Sequence, residues 1–434
     1  MARICILGTG MAGCGAVHQL RALGMEPVVY DKNAYLGGHT TTFAFDDGFF
    51  FDDGPHISFT QDERIRDILA ENVGGQYEII QAKTNNYYQG HWIKHPAQCN
   101  LHGIPEDLLL KCLQDFIEAQ YKDHGEIKNY ADWLIASFGE TFAKTFPFEY
   151  GLKYHTTTAD NMSTVWLGPR LYRPKLEEVL RGAIFDQTPE VHYVTHFRYP
   201  THNGFISYVK PFLEDIEVHL DHELTAIDPK EKTLSFAKGQ QVVYDALVSS
   251  IPLPVLIPMI QGVPREVLKA SQALACTTCT TVNIGIDRAD ISETHWIYFY
   301  DKDYFYTRLS FPHMLSPNAV PEGCGSIQAE VYYSDKYRPR DMAPDDAIDP
   351  VISDLRRCGL IKDSDTIMHT NARIISYANV IFDLEREEAL PIVHGYLDEI
   401  GVAYVGRYGE WGYLWTDESF ISGEAGARKA VEGL

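Results

Sequence analysis

The sequence predicts an α/β fold in three parts, and three observations carry the prediction. Near the N-terminus an apolar run, a glycine turn, a helical stretch and a second apolar run follow one another. Between residues 101 and 190 apolar side chains recur at helical spacing. Between residues 275 and 375 short β-prone segments succeed one another, separated by turn residues.

The first part is the most explicit. Arg3-Ile-Cys-Ile-Leu-Gly8 reads as a strand ending in glycine. Gly8-Thr-Gly10-Met-Ala-Gly13 opens a helix running to Leu23, and Glu26-Pro-Val-Val-Tyr30 is a second strand closed by Asp31. Each piece has a job in holding a dinucleotide. Gly8 allows the tight turn, Gly10 lets the backbone approach a pyrophosphate at the helix N-terminus, and Gly13 lets the helix pack close to the strand. Asp31, about 20 residues beyond the glycines, stands where an acid accepts a hydrogen bond from a ribose hydroxyl. A lone GxGxxG is weak evidence; strand, turn, helix, strand and acid in order are strong.

Bulk properties narrow the classes. A chain of 434 residues is long for one core, so two or three domains are expected. The net charge of −23 and the lack of a basic stripe argue against nucleic acid as a partner. A phosphate-bearing ligand must then be held by a few local arginines. Cys276 and Cys279 form the one CxxC, in a segment that reads as a strand, where positions three apart face opposite ways. No second pair completes a zinc site, so no metal is expected and the thiols read as structural. The chain enters its first strand at Arg3 without a signal peptide, and the expected location is cytoplasmic. Ala246 to Val263, the most apolar stretch, is broken by Pro252, Pro254 and Pro258, which argues for a buried strand end and turn over a membrane span.

After Asp31 come Gly37-Gly38-His39-Thr40 and Gly48-Phe-Phe-Phe-Asp-Asp-Gly54-Pro55-His56. This pairing resembles flavoproteins of the amine-oxidase and protoporphyrinogen-oxidase superfamily. The resemblance implies FAD, with Gly37 and Gly38 extending the pyrophosphate site. Gly54, Pro55 and His56 would then run under the isoalloxazine ring. The expected architecture is a discontinuous Rossmann-like FAD-binding domain of residues 1–100, 191–265 and 390–434. A helical domain of residues 101–190 is inserted into it, and residues 266–389 form an antiparallel β-sheet substrate domain. Helices are expected at 106–117 and 130–138, and a hairpin around Lys238-Gly239. Strands are expected at 282–286, 296–300, 305–309, 326–332, 372–376 and 401–406, and a last helix from Asp417.

Four blocks sharpen the resemblance: Gly48–Phe59, Trp166-Leu-Gly-Pro-Arg170, Trp296-Ile-Tyr-Phe299 with Arg308 downstream, and Gly406-Arg407-Tyr-Gly-Glu-Trp411-Gly-Tyr413. Their order and spacing are similar to those of UDP-galactopyranose mutases of the eukaryotic type over nearly the whole chain. That resemblance implies an arginine clamp on a diphosphate from Arg170 and Arg308. Tyr298, Tyr377 and Tyr413 would donate to the same phosphates. Gln98 would contact the base, and Val218 would hold the adenine through its backbone. Arg407 and Trp411 would sit at the flavin, with His56 beside it on a loop that shifts with redox state. It further implies ring interconversion of a nucleotide sugar through a reduced-flavin N5 adduct; the sequence does not name the electron donor, and NAD(P)H is compatible as an external reductant.

Physical chemistry agrees with the clamp, because a planar guanidinium pairs phosphate oxygens two at a time and a buried diphosphate needs such partners. Other readings stay open. Arg170 and Arg308 also suit surface salt bridges, the three tyrosines suit packed sheet aromatics, and His56 suits a core histidine. One departure is plain: where the family places aromatics around the base, this chain has His95-Pro96-Ala97-Gln98. Losing a base stack costs about 1–3 kcal/mol, so another base or substrate enters consideration. The rival activity is an FAD-dependent oxidoreductase of the amine-oxidase or protoporphyrinogen-oxidase kind, acting on a C–N or C–C bond. A third reading is a flavin-binding protein without catalysis. An oligomer is compatible with all three.

Overall fold

Strand Ile4–Leu7 carries only apolar side chains and is buried throughout, as a strand covered on both faces must be. A computed structural model, describing residues 2–168, 171–188, 191, 194–432 and 434, places it at the centre of a five-stranded sheet. The order is Val402–Tyr404, Ala246–Ser249, Ile4–Leu7, Pro27–Tyr30, Glu217–His219, and every pair is parallel. Alternation divides the central strand between two cores. Ile4 and Ile6 meet the helices Met11–Ala22 and Thr416–Val431 through Ala16, Leu20 and Phe420. Cys5 and Leu7 meet Leu256, Val393 and Leu397 on the other side. The sheet draws on distant stretches of chain, as a discontinuous Rossmann-like domain does. The apolar stretch after Ala246 is a strand followed by the short helix Leu253–Leu256, and no described helix is long and apolar enough to cross a membrane.

Between residues 106 and 184 the described chain forms the helices Glu106–Tyr121, Tyr130–Phe138, Glu140–Thr145, Pro147–His155 and Leu176–Ile184. Local signals set the boundaries. The Asn129 side chain accepts from the Asp132 backbone N–H at 2.9 Å to start one helix, and Pro147 opens another. Leu134, Phe138, Phe142 and Phe146 form the core of this part.

The second sheet runs in the order Ile367–Ile375, Thr278–Ile286, Gly325–Tyr333, Arg308–Ser310, Trp296–Phe299, Thr84–Tyr88, His91–Lys94. All pairs are antiparallel except Trp296–Phe299 with Thr84–Tyr88. From sequence, residues 1–100 stand together; here the hairpin 84–94 leaves them and joins this sheet. A two-stranded hairpin is marginal alone, and the free edge of Trp296–Phe299 completes it. Strand formation expected at 305–309 starts only at Arg308, because the Phe305 N–H is taken by the Asp354 carboxylate at 2.6 Å. Likewise Cys276 lies outside the strand, which begins at Thr278, and both thiols are free.

Period-2 alternation also gives this sheet two faces. Val282, Ile284, Ile297, Leu309, Ile327, Ala329 and Val331 pack against Val351 and Leu355 of the helix Ile348–Arg357. Their neighbours Cys279, Tyr298, Arg308, Glu330 and Tyr332 line a cavity instead.

Candidate functional site

One cavity of about 760 Å³ runs from the glycine turn, past the second sheet, to the helical part. Gly8, Gly10, Asp31, Gly37 and Gly38 line its first end. Gly8 sits at φ +111°, a conformation that favours glycine. Gly13 lies behind the wall, and a Cβ there would stand 2.0 Å from the Gly8 carbonyl oxygen. The helix that follows has neither a side-chain cap nor an acid in its first turn, so its leading N–H groups are left to a ligand. Asp31 Oδ2 accepts from Thr9 N at 2.9 Å and Thr9 Oγ1 at 2.7 Å, and Oδ1 accepts from Asn33 N at 2.9 Å. A carboxylate offers about four acceptor positions, so capacity for one hydroxyl remains.

Two residues expected to hold the cofactor do not form this wall. Val218 pairs with Val29 in the edge strand. The chain then turns at Asp221, φ +53°, and brings His222, Glu223 and Leu224 to the cavity instead. Trp411 is 0% exposed in the core beneath, and its carbonyl accepts from Arg386 Nε at 3.0 Å. Its neighbours Tyr408 and Tyr413 face the cavity. Arg170 lies outside the described residues.

The middle of the cavity holds Gly54, Pro55, His56, His39, Gly406 and Arg407. His56 Nδ1 is 2.8 Å from the Gly54 carbonyl, so Nδ1 carries the proton and donates it. Burial pushes His56 and His39 down to about 4, and the Arg407 charge adds to both shifts. Arg407 donates from Nε and Nη2 to the Leu414 carbonyl at 2.8 and 2.7 Å. It makes no ion pair with a carboxylate among the described residues, so its positive charge is uncompensated there.

At the far end, strand register lines up Asn86, Tyr298, Arg308, Glu330, Thr281 and Arg373 in one row. Arg308 donates to Glu330 through both Nε and Nη2, the latter at 2.8 Å. Tyr332 also donates to Glu330, at 2.9 Å. The two readings of Arg308 therefore meet: it is salt-bridged, and it faces the cavity. Burial alone would lower its pKa, and the Glu330 charge more than reverses this. Tyr298, Tyr377, Tyr413 and Gln98 share the wall, with Tyr413 and Tyr154 hydroxyls 3.2 Å apart and Gln98 Nε2 donating to the Tyr172 carbonyl at 3.0 Å. His95 tilts against Tyr298 with centroids 5.0 Å apart, while Ala97 is buried away from the cavity. Aromatic lining comes instead from Tyr130, Phe138, Phe142 and Tyr150 of the helices.

Sequence reasoning missed Glu330, Tyr332, Tyr150, Tyr154 and His39 as lining residues. Glu330 had a signal: it is the one charge in Gly325–Tyr333, a strand buried along its whole length. The helical tyrosines had none, because lining and core aromatics share the same helical spacing.

Residues 6–72 match a family described as an NAD(P)-binding Rossmann-like domain. Over the whole chain the fold is similar to that of reduced UDP-galactopyranose mutase, with a TM-score of 0.94 at 24% identity, covering 100% of this chain and 94% of that one. A protein from Exiguobacterium sp. 255-15, assigned provisionally as a protoporphyrinogen oxidase, gives a TM-score of 0.75 at 16% identity, covering 98% of each chain. The CLA-producing fatty acid isomerase from P. acnes gives 0.65 at 13% identity, covering 98% of this chain and 97% of that one. At such identities the likeness fixes the fold: from end to end, the chain folds as UDP-galactopyranose mutase does.

Proposed function

We propose that this protein is an FAD-dependent nucleotide-sugar mutase that interconverts pyranose and furanose rings. The observation that carries the reading is the continuity of one cavity, from an uncapped helix N-terminus to Arg308 and the tyrosines around it. FAD fits the residues present. Gly10 and Gly38 leave backbone N–H groups for a pyrophosphate, while the N–H groups of Gly8 and Gly37 are held by the Tyr30 carbonyl and Thr9 Oγ1 and these two glycines contribute space. Asp31 keeps an acceptor for a ribose, and His56 and Arg407 would flank the ring system. When bound and reduced, FAD supplies a nucleophilic ring nitrogen for the anomeric carbon.

The chain's own residues do the rest by binding and orientation. Arg308, with Arg170, takes the diphosphate, and Tyr298, Tyr377 and Tyr413 donate neutral hydrogen bonds to it. Glu330 fixes the plane of the Arg308 guanidinium and offsets part of its charge, which shifts work to the phenols. Gln98 keeps its amide oxygen for the base, since Nε2 is engaged by Tyr172. His56 stays neutral near pH 7 and presents Nε2 as an acceptor. NAD(P)H fits this reading as an external reductant.

The test is turnover with dithionite-reduced protein and a panel of UDP, GDP, dTDP and ADP hexoses, followed by NMR. Interconversion of ring forms in the reduced protein alone is the expected result. The second reading, oxidation of a C–N or C–C bond, draws support from the aromatic walls Tyr130, Phe138 and Phe142. It predicts that substrate bleaches the flavin anaerobically without added reductant. Bleaching by an amine or an apolar ring compound, with no sugar converted, would overturn the mutase reading.

A further inference from the structure

His155 is the last residue of the helix Pro147–His155, which ends where Thr156 turns to φ +62°. It lines the cavity and is 4% exposed. The rings of Tyr154 and Trp166 enclose it, at centroid distances of 4.9 and 5.3 Å. Burial pushes its pKa down to about 3, so the ring is neutral and carries one N–H. Nδ1 is shut off from solvent and has no hydrogen-bond partner, whereas Nε2 is not shut off. A sealed N–H without a partner is rarer than a sealed lone pair, which puts the proton on Nε2. The ring stands beside the phenols assigned to the diphosphate, because Tyr154 pairs with Tyr413 at 3.2 Å and Trp166 stacks on Tyr413.

We propose that His155 binds substrate, donating a hydrogen bond from Nε2 to an oxygen of the nucleotide diphosphate sugar. This rests on the mutase reading and adds a contact from the helical part that the resemblance does not supply. A neutral donor contributes orientation without further positive charge, which suits a cavity where Glu330 already offsets Arg308.

The test compares wild type, His155→Phe and His155→Gln. Calorimetric titration uses UDP, GDP, dTDP and ADP and their hexose conjugates, beside thermal unfolding of the ligand-free proteins. His155→Phe should bind about 10-fold more weakly, the loss of one hydrogen bond. It should melt no lower than wild type, because no partner is lost within the protein. His155→Gln, whose amide N–H reaches the place of Nε2, should recover to within about 3-fold. A loss already present with the diphosphates puts the oxygen on phosphate; a loss confined to the conjugates puts it on the sugar, and either supports the proposal. Equal affinity in all three proteins overturns it while leaving the mutase reading standing. A wild type that binds none of the probes overturns both.

Discussion

The two ends of the cavity are built differently. The end proposed for the dinucleotide is made of backbone and comes from one short run of chain, residues 8–38, closed by Ser250 and residues 222–224. The substrate end is made of side chains and draws on Gln98, Tyr150, Tyr298, Arg308, Glu330, Tyr377 and Tyr413, from every part of the fold. The difference teaches where tolerance lies. A backbone site fails by steric intrusion, whereas a side-chain site fails by loss of charge balance.

The sharpest way to break the first end is Gly13→Val. Its Cβ would stand 2.0 Å from the Gly8 carbonyl, and neither backbone can yield without opening the strand–helix contact. A loss of about 5 kcal/mol or more and protein purified without flavin are expected, read by denaturant unfolding and absorbance. Gly10→Ala is the control, because its Cβ meets nothing nearer than 3.6 Å and its backbone suits alanine. It should melt like wild type yet hold flavin at least about tenfold more weakly, the methyl taking up the approach to the pyrophosphate. Equal damage from both would erase the distinction between packing and cofactor glycines.

Charge balance rules the other end. Arg308→Met leaves Glu330, 3% exposed, without its counter-ion and should cost about 3–5 kcal/mol. Pairing it with Glu330→Gln removes the stranded charge and should return most of that stability without returning turnover. A double variant that is both stable and active would remove Arg308 from the proposed clamp.

These contrasts explain what could be read in the sequence. The glycine-turn end was legible as structure because its parts are adjacent and each has a geometric job: Gly8 turns, Gly13 packs, and Asp31 accepts from Thr9 and Asn33 at the end of the second strand. The parallel sheet followed from the same unit. Arg308 was legible as a residue, but its salt bridge was not, since Glu330 reaches it only through strand register across 22 positions. Val218 stands outside the cavity lining, which the sequence could not show because an alternating strand looks alike along its length, and the turn at Asp221 brings residues 222–224 to the cavity. Trp411 sits in a motif whose tyrosines face the site, and its own φ of +51° accompanies a side chain buried in the core.

Between the two ends, the histidines make the ligand-free protein sensitive to acid. His56 falls from the usual range to about 4 by burial, so its contribution is complete above pH 6.5 and is lost as pH falls through 4. Asp52 and Asp53 oppose it: burial lifts both to about 6, and their contribution is present in acid and lost as pH rises through 6. The readout is therefore the difference between wild type and His56→Asn, which keeps a donor for the Gly54 carbonyl but does not titrate. Thermal unfolding from pH 7 to 4 should show the variant losing about 2 kcal/mol less than wild type, part of the full shift being screened where the ring meets the cavity. Parallel curves would mean that His56 is not buried neutral.

The smallest expected effect tests the adenine contact expected at Val218. Val218 stands in the edge strand and pairs with Val29, away from the lining. Val218→Ala removes two methyl groups from a half-buried site and should cost about 1 kcal/mol in stability. Flavin affinity should stay within about twofold, because neither its side chain nor its backbone reaches the cavity. Leu224, buried and on the wall, is the informative partner. Leu224→Ala leaves the backbone in place but opens the wall, and should weaken flavin retention several-fold more than Val218→Ala does. The reverse order in a flavin-retention titration would return the adenine contact to Val218. It would then follow that the edge strand, not the turn at Asp221, delivers the backbone to the cofactor.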